Sequence, residues 1–149
     1  MATSPTMTVA EREAFLADLH VGVLSVADDG RGPLTTPVWY RYEPGGDVTF
    51  FTGRGTRKMR LLRSAGRCSL CVQSEAPPYS YVSIEGPVVS IDPAGLEEER
   101  RLIAHRYLGP EGGAAWLAAT TDAMPVSDVI RIRPERWLSV DFGKLGGGA

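Results

Sequence analysis

The sequence has little of what metal and nucleophilic chemistry use: two cysteines and two histidines in 149 residues. Zinc requires four ligands, and His20 and His105 stand in no ligand spacing with Cys68 and Cys71. Three residues apart in a strand-like stretch, the two thiols point to opposite faces; no disulfide between them is expected, only two inert side chains. No apolar run approaches the roughly 18 residues of a membrane-spanning helix. Met1 to Thr8 lacks a basic-then-apolar secretory layout, so the cytoplasm is the expected compartment. There is no GxSxG elbow and hence no hydrolase signature, and Asp141-Phe142-Gly143 stands without the rest of a kinase. An excess of positive charge is also missing, with 16 basic against 18 acidic residues, which counts against nucleic acid as a partner.

What is present describes one folded domain. The chain is 43% hydrophobic and 23% charged, enough for a single core over residues 1–142, with a flexible glycine-rich tail at 143–149. Seventeen glycines and eleven prolines favour turns and β structure. Thr8 with Glu11 makes a capping box ahead of a helix ending near His20. Strands are expected at Val21–Ala27, Leu34–Glu43, Val48–Thr52, Arg67–Gln73, Tyr79–Ile91, Ser127–Arg133 and Trp137–Phe142, the last two counted as one stretch of strand material. Pro37 marks the second as edge-like, Glu43 to Asp47 closes it into a hairpin, and Gly86-Pro87 marks a bend. Thr56 caps a short helix that Gly66 stops. Asp92-Pro93 opens a longer helix ending at Gly109-Pro110, and a smaller one follows over Ala114–Thr120. About six hairpin-linked strands interrupted by helices make an antiparallel barrel or sandwich, not a doubly wound nucleotide fold.

The strongest chemical signal is electrostatic. Between Val48 and Ser74 stand Arg54, Arg57, Lys58, Arg60, Arg63 and Arg67, with no acidic residue among them. Arg57 and Lys58 fall in the first helical turn, where free amides and the helix dipole already favour an anion. Gly53 and Gly55 just before them permit close backbone approach to a phosphate. The same charges also fit an exposed basic helix face, so both readings stand at this point. Gly53-Arg54-Gly55 is no dinucleotide fingerprint, since Lys58 occupies the position of its last glycine. Trp39, Tyr79 and Tyr81 are placed to line a planar ligand or to serve as core aromatics. Glu97, Glu98 and Glu99 are expected on a solvated helix face.

Taken in order, Thr36-Pro37-Val38-Trp39-Tyr40, Phe50-Phe51-Thr52, the loop with Lys58, Leu61 and Arg63, and Pro77-Pro78-Tyr79 with Val82, Glu85 and Gly86 form a pattern. It resembles the pyridoxamine 5'-phosphate oxidase-like FMN-binding split-barrel superfamily, and most closely its branch of oxidoreductases dependent on the deazaflavin coenzyme F-420. The likeness runs from Thr8 to Phe142. It implies a mainly β split barrel with helical insertions, paired as a homodimer with cofactor sites between the subunits. The ring would meet Thr36, Pro37, Val38 and Trp39, and the phosphate Thr52, Arg57 and Lys58. Arg54 or Arg60 would take a further anionic tail, and Trp137 would reach toward the partner's site.

The resemblance implies an oxidoreductase that passes a hydride from reduced deazaflavin to a conjugated small-molecule acceptor, with no membrane and no nucleic acid involved. Six basic residues suit the long anionic tail of F-420. An FMN-dependent oxidase or reductase is the alternative, and a flavin- or tetrapyrrole-binding protein without turnover is a third. Tyr79 or solvent would supply a proton.

Overall fold

The computed structural model describes residues 3–146. Chain order is α1 (Val9–Ala17), β1 (Gly22–Val26), β2 (Leu34–Val38), β3 (Val48–Gly53), α2 (Arg57–Ala65), β4 (Arg67–Gln73), β5 (Ser80–Asp92), α3 (Leu96–Thr120), β6 (Ser127–Ile132), β7 (Arg136–Asp141) and α4 (Gly143–Gly146). The strands are antiparallel neighbours in the order β2-β1-β4-β5-β6-β3, with β7 also on β5. The two ends of this sheet meet at one point. Arg41 and Thr49 exchange backbone hydrogen bonds of 2.8 and 2.9 Å. The sheet therefore curls into a barrel that stays split, as the resemblance implies, and the expected hairpin shrinks to that single bridge.

Local signals set most of the elements. Thr8 accepts from the Glu11 amide while the Glu11 carboxylate accepts from the Thr8 amide, so the capping box forms as read; α1 ends at Ala17, a turn sooner than expected. Thr56 caps α2, and Gly66, at φ 68°, stops it. Pro37, which has no amide to donate, lies on the strand at the end of the sheet. Val38, Tyr40 and Tyr42, alternate residues on one face, point inward, and all three side chains are buried. They join Leu16, Leu24, Phe50, Leu62, Leu70, Ile84, Ile130 and Ile132 in the barrel core. The Tyr40 hydroxyl, inside that core, donates to the Leu16 carbonyl (2.6 Å) and ties α1 to the barrel end.

Four expectations need correction. There are seven strands rather than six. Asp92 does not cap α3: its side chain accepts from the Ala94 amide in a turn, and the helix begins after Gly95, whose left-handed φ of 77° ends that turn. The two expected helices follow one another directly, separated only by the break at Gly109 (φ 75°, ψ 176°) before Pro110. Glu99 is no solvated side chain. It is buried and accepts from both arms of Arg41 (3.1 and 2.6 Å), with Arg131 at 3.8 Å, so it fastens α3 to the outside of the barrel.

The two thiols are free, Cys68 buried and Cys71 partly so, and burial pushes the Cys68 thiol up to about 12. No helix among the described residues is long and apolar enough to cross a membrane. Of the expected flexible tail, Gly143–Gly146 forms one helical turn in which Lys144 pairs with Glu11 (2.7 Å), and residues 147–149 lie outside the described residues.

Candidate functional site

Beside the edge strand β2 lies a cavity of about 410 Å³ lined by Val21, Pro37, Val38, Trp39, Phe51, Lys58 and Trp116. Its position follows from alternation. Phe50 of β3 is buried in the core, so Phe51 next to it faces the other way. Pro37, on the exposed face of β2, and Val21, just before β1, supply the edge. The capped start of α2 brings Lys58 in, and α3 carries Trp116 across.

Pro37, Val38, Trp39 and Lys58 thus come together as lining residues. The remaining sequence candidates stand elsewhere. Thr36 sits on the barrel-facing side of β2, where its hydroxyl is 3.4 Å from the Pro37 carbonyl. Thr52 is buried and points away from Phe51. Arg60 is exposed. Trp137 lies against Tyr42, at a centroid distance of 6.2 Å, and beneath the Arg12 guanidinium at 4.6 Å. Tyr79 is exposed and lines no part of this cavity.

Most of the basic cluster is already neutralised. Arg54 grips the buried Asp128 carboxylate with two hydrogen bonds (3.1 and 2.7 Å), and Arg63 reaches the same group at 3.4 Å. Arg57 pairs with Asp28, and Arg67 with Glu135 at 3.3 Å. These carboxylates stand far off in sequence, Asp128 by 74 residues from Arg54 and Asp28 by 29 from Arg57, so the local charge count could not reveal them. Among the described residues, Lys58 and Arg60 are the members of the cluster in no ion pair.

Of those two, only Lys58 lines the cavity. Burial pushes its amine below the usual lysine range, because no carboxylate offsets the loss of water around the cation. Thr56 occupies the Met59 amide (3.2 Å), while the first-turn amides of Arg57 and Lys58 stand outside the intrahelical ladder. A half-buried ammonium, a helix start and three aromatic rings can together take a planar molecule that carries an anionic group.

Trp116, Phe51 and Val21 were not singled out by sequence. Phe51 was legible as part of the Phe50-Phe51-Thr52 string, but Trp116 lies on a helix far along the chain with no local mark of its role.

The ion pairs make a pH prediction. The Arg54 guanidinium holds Asp128, and the Arg57 guanidinium holds Asp28, below the usual carboxylate range. Hydrogen bonds from Lys144 and Thr8 bring Glu11 down to about 2. A depressed folded-state pKa contributes stability that is complete above the unfolded value and is lost as pH falls through the folded one. The urea midpoint is therefore expected to fall as pH drops from about 4 toward about 2. Asp128→Asn should flatten part of that fall, and a slope identical to the parent's would remove Asp128 from the account.

Residues 8–141 match the pyridoxamine 5'-phosphate oxidase family. Comparison with the curated proteins finds no match. Among solved structures, a conserved hypothetical protein from Mycobacterium tuberculosis superposes with a TM-score of 0.78 at 24% identity, covering 100% of this chain and 94% of that one. An F420 reductase superposes at 0.67 with 20% identity, over 85% of this chain and 94% of its own. An FAD-binding protein from Mesorhizobium loti superposes at 0.62 with 22% identity, over 90% and 92%. At these identities the likeness is one of fold, a split barrel. With residues 8–141 of its 149 matched, the chain belongs to the pyridoxamine 5'-phosphate oxidase family.

Proposed function

We propose that the protein is an oxidoreductase that binds a flavin-type cofactor in the cavity beside β2, with the deazaflavin F-420 as the leading candidate. The observation that carries this reading is Lys58: a cation without a carboxylate partner among the described residues, drawn into an aromatic cavity. A cavity of about 410 Å³ is within the range of small-molecule and cofactor sites. Nothing lies within 4 Å of where a Gly55 side chain would begin, so the loop leading to Lys58 is open to an approaching anion.

Each lining residue then has a task. Lys58 and the adjoining amides hold the phosphate. Pro37, Val38 and Trp39 orient the ring, while Val21, Phe51 and Trp116 keep water from it. When bound, the cofactor supplies the hydride chemistry, so the chain itself contributes binding and orientation rather than a catalytic dyad. The acceptor is a conjugated small molecule. The working unit is a homodimer in the cytoplasm, in which Trp137 and Tyr79, remote from the cavity of their own protomer, face the site of the partner.

The fold shared with an F420 reductase supports the deazaflavin. One observation favours FMN instead. With Arg54, Arg57, Arg63 and Arg67 on carboxylates, the unpaired cations match a single phosphate better than a long anionic tail. Titration of the purified protein with F-420 and FMN side by side, at physiological salt, separates the two. Tighter binding of F-420, followed by oxidation of its reduced form by an added acceptor, is the expected outcome. Tighter FMN binding moves the protein to the flavin reading, binding without turnover makes it a carrier, and binding of neither defeats the proposal.

A further inference from the structure

We infer that Trp116 continues, beside Trp39, the aromatic wall against which the planar ring of the cavity's occupant is held, making Trp116 a specificity residue for flat heteroaromatic anions. This inference rests on the binding reading above.

Trp39 is a fixed surface. Tyr107 stacks on it with centroids 4.9 Å apart and planes within 5°. Tyr107 is itself locked, because its hydroxyl donates to the His20 carbonyl (2.6 Å) and accepts from the Tyr40 amide (3.1 Å). One face of Trp39 is thereby taken, and an incoming ring must use what remains. Beside Trp39 stands Trp116, its centroid 5.7 Å from that of Trp39 and its plane inclined by 49°. The two tilted rings touch, leaving no slot between them, and together make one aromatic surface of the cavity that Lys58 also lines.

The chain is built to hold Trp116 there. Past the break at Gly109, α3 changes direction, and Gly113 passes so close that a side chain would begin 3.0 Å from the His105 amide nitrogen. Arg100, buried on the first half of α3, lies 5.8 Å from the Trp116 ring centroid and donates to the Thr120 hydroxyl (3.2 Å). That hydroxyl in turn donates to the Trp116 carbonyl (2.7 Å). Arg100 is therefore a positioning residue behind the wall.

The test titrates FMN and F-420 into the parent protein and into Trp116→Phe, Trp116→Leu and Trp116→Ala, recording affinity and the ligand's absorption band at saturation. Lys58→Met serves as a control for affinity without stacking. Loss of an aromatic stacking surface is expected to weaken binding about tenfold or more in Trp116→Leu and Trp116→Ala. Trp116→Phe should stay within about threefold of the parent, since a ring remains. The band shift caused by stacking should vanish in Trp116→Leu yet persist in Lys58→Met once saturated. Affinity and band unchanged in Trp116→Leu, or Trp116→Phe as weak as Trp116→Leu, overturns the inference while the binding reading stands. If Trp116→Ala fails to fold, Trp116→Leu decides. A parent that binds neither probe overturns both.

Discussion

Alanine at position 86 is expected to cost the protein about 3 kcal/mol or more, the largest loss among alanine substitutions of the described glycines. Gly86 sits where β5 changes partners. Up to Glu85 its outer edge is paired with β7, and from Val88 onward with β6. The connection from β6 to β7 crosses at this point, with the Arg133 amide donating to the Pro87 carbonyl (3.1 Å) and the Glu135 amide to the Glu85 carbonyl (2.9 Å). A β-carbon on residue 86 would fall on the Arg133 carbonyl oxygen, and both partners are backbone. No rotamer can relieve that overlap. The corner must open, and with it the hydrogen bonds that join the two halves of the barrel. Gly32→Ala is the control, because nothing lies within 4 Å of its added carbon; it should change stability by about 0.5 kcal/mol or less. Urea melts of the two variants provide the comparison, and a Gly86→Ala midpoint equal to that of Gly32→Ala would contradict the corner geometry.

Lys58→Met is expected to do the opposite to the free protein and the greatest harm to the bound one. Methionine keeps most of the aliphatic stem and comparable helix propensity while removing the charge. A hydrogen bond from a cation to phosphate is worth about 1.5–3 kcal/mol, so affinity for F-420 or FMN should fall by roughly ten- to hundredfold. Arg57→Ala should matter far less to affinity, because its guanidinium is already engaged by Asp28. In the free protein the direction reverses. Burial holds the Lys58 amine below its ordinary value, so folding disfavours its charged form. That penalty is complete below the folded-state pKa and disappears as pH rises past the unfolded one, since the unfolded chain binds more protons between them. At neutral pH the methionine variant is therefore expected to melt at a slightly higher temperature than the parent. Lower affinity with higher stability would identify Lys58 as a residue kept for its ligand. A fall in both would make it a structural cation.

Most of the secondary structure was legible because its causes are local. Thr8 with Glu11 and Thr56 with Gly66 act within a few residues of themselves, and the structure repeats them. Pro37 told of an edge strand for the same reason, a missing donor being a property of the residue itself. Asp92 misled because a capping side chain and a turn side chain look alike in sequence: both are an aspartate before a proline, and only Gly95 three residues on decides between them.

The amino-acid order determined by itself that the chain is mainly β with two capped helices, that Pro37 and Val38 lie on an edge strand with Trp39 next to them, and that Lys58 stands in the first turn of a helix. Only the tertiary structure decided which charges remain available. Asp28, Asp128 and Glu135 neutralise cations far away in sequence, and Glu99 left its expected solvated face for Arg41. Tertiary structure alone also brought Trp116 to the cavity and pressed Arg133 against Gly86. The physical reason is the same in each case. Propensity and capping are short-range, whereas charge pairing, cavity walls and steric exclusion are settled by which distant segments the closing barrel sets side by side.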